Sequence, residues 1–251
     1  MTAATATTLA FVQGRGLSKT FGHVRALQDV DVDIFQGEIL AIVGDNGAGK
    51  STLTKILSGV HQPDRGEITI NGRQERISDP HRAHELGIST VFQNLALIDC
   101  RDVASNLFLG REPTRWFLLV DRRKMRQDAE KIMSELHVHL PSLEAEVGQL
   151  SGGQRQSIAI GRALSRSSTI ILMDEPTAAL GIKESRQVLD LILHLRSEGN
   201  GIVIISHNLR HVFSVADRIM VLRRGRLAGV RQKSETTPDD IVKLIVGAEV
   251  L

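Results

Sequence analysis

The run Gly44-Asp45-Asn46-Gly47-Ala48-Gly49-Lys50-Ser51 constrains this chain more than any other stretch. It follows five apolar residues, Ile39-Leu40-Ala41-Ile42-Val43, and precedes Thr52-Leu53-Thr54-Lys55-Ile56-Leu57-Ser58, which Gly59 closes. Strand, glycine-rich loop and helix in that order are what a phosphate-binding loop requires. Glycines let backbone N–H groups turn inward and approach an anion closely. The helix start adds unpaired donors and the positive end of its dipole. In such a loop Lys50 reaches the β- and γ-phosphates of a nucleotide, and the Ser51 hydroxyl holds Mg²⁺.

The chain of 251 residues is long enough for one large domain or two modest ones, and its 41% hydrophobic content supports a sizeable core. Lys plus Arg total 31 against 29 Asp plus Glu, so a formal charge of +2 gives no support for a protein that tracks nucleic-acid backbones. The clusters Arg122-Arg123-Lys124 and Arg223-Arg224 are short enough to be solvated surface. Cys100 is the sole cysteine, which forbids a disulfide within the chain and fits a reducing compartment. Met1 to Thr8, rich in Thr and Ala without Lys or Arg, reads as a loose tail over residues 1–10 rather than a signal peptide or lipid anchor. No apolar stretch approaches the roughly twenty residues that span a bilayer. The expected location is cytoplasmic, with attachment to a membrane only through another chain.

Taken in order, Leu9 to Leu17 and Leu27 to Phe35 read as strands around a turn at Phe21-Gly22-His23. Pro63-Asp64-Arg65-Gly66 is a turn, and Glu67 to Ile70 with Asn71-Gly72 is half of a hairpin. This start predicts a small antiparallel sheet beside the nucleotide core. Pro80 to Leu86 reads as a helix capped by Asp79, and Ile88 to Phe92 as a strand ending at Gln93. From Asn94 strand patterns vanish. Asp121 caps a helix with the apolar stripe Met125, Ala129, Ile132, Met133 and Leu136, and the short apolar runs Leu107 to Leu109 and Trp116 to Val120 lie in the same region. Residues 94 to about 165 read as a helical insertion. Leu150-Ser151-Gly152-Gly153-Gln154 opens a helix to Leu164 with Ser151 as cap. Thr169 to Met173 is a buried strand ending in Asp174-Glu175, and Ile202 to Ile205 another ending in Ser206-His207. Glu184 to Arg196 is an amphipathic helix, Arg218 to Leu222 and Arg226 to Val230 flank a hairpin turn, and Thr237-Pro238-Asp239-Asp240 starts a last helix that ends at Gly247.

Phe21, the P-loop, Gln93, Leu150 to Gln154, Ile170 to Glu175 and His207 stand in an order that resembles the ATPase subunit of ATP-binding cassette (ABC) transporters. The resemblance spans residues 11 to about 230. It implies an α/β fold: a P-loop NTPase core with a RecA-like, mostly parallel sheet, a small N-terminal antiparallel subdomain and a helical insertion. The ATPase domain would cover 11–235, and 236–251 would be a C-terminal helix packed on it. It implies ATP with Mg²⁺. Gly44, Asp45, Asn46, Gly47, Ala48, Gly49, Lys50, Ser51 and Thr52 would bind phosphate, and Ser51, Gln93 and Asp174 would hold the metal. Glu175 would polarise the attacking water, assisted by His207 and Gln93, and Phe21 would stack on adenine. Ser151, Gly152, Gly153 and Gln154 would close on ATP held by a second cassette, so a dimer is implied, either a homodimer or a pair of different cassettes. Further partners would be transmembrane permease subunits and, indirectly, a periplasmic sugar-binding protein. The chain would lie on the inner face of the cell membrane, with no nucleic-acid partner.

Where the family usually has Asp after Thr177-Ala178-Ala179-Leu180, this chain has Gly181. The departure bears on how two ATP sites communicate; hydrolysis should survive because Lys50, Glu175 and His207 are in place. Gly-Asp-Asn-Gly-Ala-Gly-Lys-Ser-Thr, Val91 to Leu97, Asn106 to Glu112 and Ala178 to Gly181 resemble importers of pentoses and hexoses, in the single-cassette form. The rival readings are a soluble ABC ATPase acting on ribosome or DNA, the cassette of an exporter, and a non-hydrolysing ATP-dependent module, against which intact Glu175 and His207 argue.

Overall fold

Residues 10–115, 119–164 and 168–247 are described by a computed structural model of the chain. Strands β1 (Val12–Phe21) and β2 (Val24–Ile34) pair antiparallel, and β3 (Ile39–Val43) leads into α1 (Lys50–Leu57). Then come β4 (Arg65–Ile70), β5 (Arg73–Glu75), α2 (Pro80–Glu85), β6 (Ile88–Val91) and α3 (Val103–Leu107). A two-residue pair, β7 (Thr114–Arg115) and β8 (Leu119–Val120), precedes α4 (Arg122–Glu135) and α5 (Gly152–Leu164). The chain continues through β9 (Ile170–Asp174), α6 (Ile182–Ser197), β10 (Gly201–Ile205) and α7 (Leu209–Val215). It closes with β11 (Arg218–Arg223), β12 (Arg226–Gln232) and α8 (Pro238–Val246).

The central sheet has the order β12-β11-β3-β10-β9-β6 and is parallel except for β12. Its inner strands read as unbroken apolar runs because both faces are covered. Alternate residues serve different cores. Ile39, Ala41 and Val43 face one cluster with Met173, Ile204, Val188 and Leu107; Leu40 and Ile42 face another with Leu172, Ile205, Leu53 and Ile56. Helices α3 to α8 build the first face. Helices α1 and α2, with the antiparallel sheet β2-β1-β4-β5, build the second.

Local chemistry sets most element ends. The Asp79 and Asp121 side chains accept the N–H groups of Arg82 and Lys124 and so start α2 and α4. Thr237 and Asp240 form a reciprocal capping box, Pro238 occupies the first turn, and Gly247 ends α8 at φ 77°. Two expectations need correction. The first two strands run four residues further and start three residues earlier than the apolar pattern suggests, because their exposed ends at Thr20-Phe21 and Val24-Arg25 are held by backbone pairing rather than burial. The segment after Asn94 is not free of strand, since β7 and β8 pair; two residues each carry no alternation to read. Of that apolar run, residues 116–118 lie outside the described residues, as do the 1–9 tail, 165–167 and 248–251. Helices α3, α4 and α5 pack on one another at Gly161, where an added Cβ would lie 2.6 Å from Met133 Cε and 3.2 Å from Leu107 Cδ2. Among the described residues, no helix is long and apolar enough to cross a membrane.

Candidate functional site

The order of the sheet gathers the site. Strands β3, β10 and β9 are neighbours, and Ile205 pairs with Ile42 on one side and Asp174 on the other. The P-loop, His207 and Glu175 therefore leave the same carboxyl edge, where open parallel sheets bind ligands. They line a cleft of about 500 Å³ with Lys50, Ser51, Gln93, Asp174, Val24 and Ala26.

Two loop glycines are required by the fold. A Cβ on Gly44 would sit 2.2 Å from Leu222 O, and one on Gly49 (φ +104°) 2.6 Å from Ala26 O. Gly47 (φ +74°) has nothing within 4 Å of a built Cβ, so its backbone faces the open cleft. Lys50 Nζ folds over this loop and donates to Gly44 O at 2.8 Å and Asp45 O at 2.9 Å. Burial holds its ammonium below the ordinary lysine range, against the pull of Glu175, Asp45 and Asp174.

Burial likewise raises the Asp174 carboxyl above the usual Asp range; the neighbouring Glu175 adds to this, and Lys55 and Lys50 oppose it. Glu175 takes φ +52°, and its N–H donates to Ile205 O at 2.9 Å, which carries the sheet pairing one residue past β9. Its Oε1 lies 2.8 Å from His207 Nδ1. A carboxylate only accepts, so Nδ1 carries the proton. The Glu175 side chain is 15% exposed and His207 72%, which makes the imidazole the outer member of the pair. Gln93 lines this cleft and also the neighbouring hollow beside Leu95 and Leu97.

The remaining sequence candidates lie elsewhere. Ser151 Oγ accepts the Gln154 N–H at 3.3 Å, and the Gln154 side chain accepts the Ser151 N–H at 3.1 Å. A Cβ on Gly152 would come within 2.6 Å of Leu180 Cδ2, and one on Gly153 within 3.2 Å of Glu184 Cβ, so both glycines serve packing on the start of α6. None of Ser151 to Gln154 lines the P-loop cleft. Phe21 is not brought into it either: the ring is 42% exposed and meets His61 edge-on at 5.1 Å. Gly181 precedes α6 with no side chain to cap it, and the Glu184 carboxylate accepts its N–H at 3.0 Å instead. Val24 and Ala26 were not singled out by the sequence; two small apolar residues at an exposed strand start give no signal there.

Mg²⁺ suits this oxygen set. The ion takes hard oxygen ligands and keeps waters. The Ser51 hydroxyl, the Gln93 amide oxygen and the Asp174 carboxyl share the cleft. Burial penalises the Asp174 charge, and a cation would relieve that penalty.

Residues 27–178, more than half of the chain, match the model of the ABC transporter family. The chain belongs to this family. The fructose import ATP-binding protein of Rhizobium meliloti is 47% identical over 242 residues, covering 94% of this chain and 93% of that protein. The xylose/arabinose import ATP-binding protein of Sulfolobus acidocaldarius is 44% identical, covering 92% of each. A ribose import ATP-binding protein of Caldanaerobacter subterraneus is 42% identical, and this cassette spans only 48% of its length. Among solved structures, an ATP-binding cassette of an ABC transporter matches with a TM-score of 0.83 at 27% identity, covering 94% of this chain and 99% of that one. A dimeric post-hydrolysis cassette bound to ADP and Pi matches with a TM-score of 0.75 at 27% identity, covering 88% of this chain and 98% of that one.

Proposed function

We propose that this cassette hydrolyses ATP to drive monosaccharide import through a separate membrane permease. The Glu175–His207 pair, at 2.8 Å beside the P-loop, carries the proposal. Lys50 and the backbone N–H groups of the loop bind and orient the β- and γ-phosphates. Glu175 orients the attacking water and takes its proton as the water oxygen bonds to the γ-phosphorus and the bond to the ADP oxygen breaks. His207 holds Glu175 in place and presents its ring on the solvent side. When bound, Mg²⁺ neutralises charge on the phosphates, with Ser51, Gln93 and Asp174 as its protein oxygens.

A head-to-tail homodimer completes each site. Ser151 to Gln154 serve the nucleotide of the other copy, in keeping with their place outside their own cleft and with the dimeric relative that holds ADP and Pi. Phe21 would stack on adenine after turning its face from His61. The names of the fructose, xylose/arabinose and ribose relatives support a sugar as cargo. The cassette would then sit on the inner face of the membrane, served by a periplasmic sugar-binding protein.

Capture from the native cell tests this reading. Glu175→Gln cassette, purified from membranes solubilised with ATP, should bring down a multi-helix membrane protein encoded beside a sugar-binding protein. Ribosomes or DNA in its place would overturn it.

A further inference from the structure

The loop from Glu175 to Gly181 holds two non-glycine residues in the left-handed region, Glu175 at φ +52° and Ala179 at φ +59°. Such backbone persists only where its surroundings fix it. Two side-chain ties run from this loop to the segment after β10. The first is Glu175 to His207 at 2.8 Å. The second is Thr177 Oγ1 to His211 Nδ1 at 2.9 Å, a hydrogen bond whose donor follows the ring tautomer. Residues two apart on one loop thus meet residues four apart on the other, in two rungs.

The rungs differ in firmness. His207 is mostly exposed, and nothing else in the described structure ties its ring. Thr177 is 8% exposed, so its hydroxyl needs a partner within the protein. His211 is half-buried in the first turn of α7, and its own N–H reaches the Asn208 cap at 3.4 Å. The inner rung is therefore anchored on both sides, and the outer rung is made of residues that line the P-loop cleft.

We propose that His211 is a positioning residue for ATP hydrolysis, which, through Thr177, holds Glu175 at its working orientation to His207. Neither His211 nor Thr177 lines the P-loop cleft, so nucleotide binding does not depend on them. The inference rests on the hydrolysis reading above.

Steady-state ATP turnover of the full chain tests it. His211→Ala and Thr177→Val should each lower kcat about fivefold to tenfold, the size of one neutral hydrogen bond, with KM for ATP within about twofold. Thr177→Ser keeps the hydroxyl and should recover most of the loss. The double variant should be no slower than either single, because both remove the same contact. Should His211→Ala not fold, Thr177→Val against Thr177→Ser makes the same comparison. Unchanged kcat, losses that multiply, a matching loss of ATP affinity, or Thr177→Ser as slow as Thr177→Val would each overturn the proposal. A wild-type chain that binds ATP without turnover would overturn the hydrolysis reading and this inference together.

Discussion

Asp174 costs the folded protein stability at neutral pH. Burial and Glu175 raise its carboxyl above 3.8, and two lysines offset this only in part. The sign follows from linkage. Below the unfolded value both states hold the proton and no penalty exists. As pH rises through the folded value the penalty is complete, because the folded state then carries a charge it disfavours. Asp174→Asn should therefore be more resistant to urea than wild type at pH 7 without added metal. The difference should shrink as pH falls towards 3.8. An equal midpoint at pH 7 would show that the acid is better compensated than its surroundings suggest. The sequence placed Asp174 at the end of an apolar strand, where β9 ends, but could not show this penalty, because burial exists only once distant segments are folded together. Nor could it show that Phe21 turns to His61.

At the scale of elements, the P-loop glycines separate into two kinds. Gly44→Ala places a methyl against the Leu222 carbonyl and should destabilise by about 3 kcal/mol or more. Gly47→Ala meets no protein atom and carries only the left-handed penalty, about 1 kcal/mol, yet it adds a methyl to a residue that lines the P-loop cleft. It should fold and lose ATP affinity; thermal melts with nucleotide titration separate the two, and equal loss of stability would contradict the distinction. Such differences come from strands brought together over long sequence distances, so a glycine pattern does not display them. Elements with their own punctuation were legible. Helix α8 has Thr237, Pro238, Asp240 and Gly247, and its ends fall where these residues put them. Strand β3 announces itself by five apolar residues, all buried. The exposed ends of β1 and β2, and the β7–β8 pair, are fixed by partners rather than by composition.

Across the whole molecule, none of Ser151 to Gln154 lines the P-loop cleft, although Gly152 shares a neighbouring hollow with Gln93 and Glu175. The P-loop lines its cleft with Lys50, Ser51, Asp174 and Glu175; the Leu150 to Gln154 segment starts a helix whose N-terminus lies outside that cleft. On the reading proposed above, a second copy turned head to tail would join them, while within each chain Leu180 and Glu184 pack on Gly152 and Gly153. Order of motifs made the fold class readable, because β3, β6, β9 and β10 each carry one motif at the carboxyl end. Which motifs share a cleft depends on strand order, which skips along the sequence from β3 to β10 to β9.

Analytical ultracentrifugation of Glu175→Gln with and without Mg-ATP, paired with its turnover, shows whether two copies share their ATP sites. The variant should be a monomer without nucleotide and a stable dimer with ATP, and should show no measurable hydrolysis, since ATP binding is kept and the proton acceptor is lost. A variant that binds ATP yet stays monomeric, or that still hydrolyses at the wild-type rate, would contradict the shared-site reading.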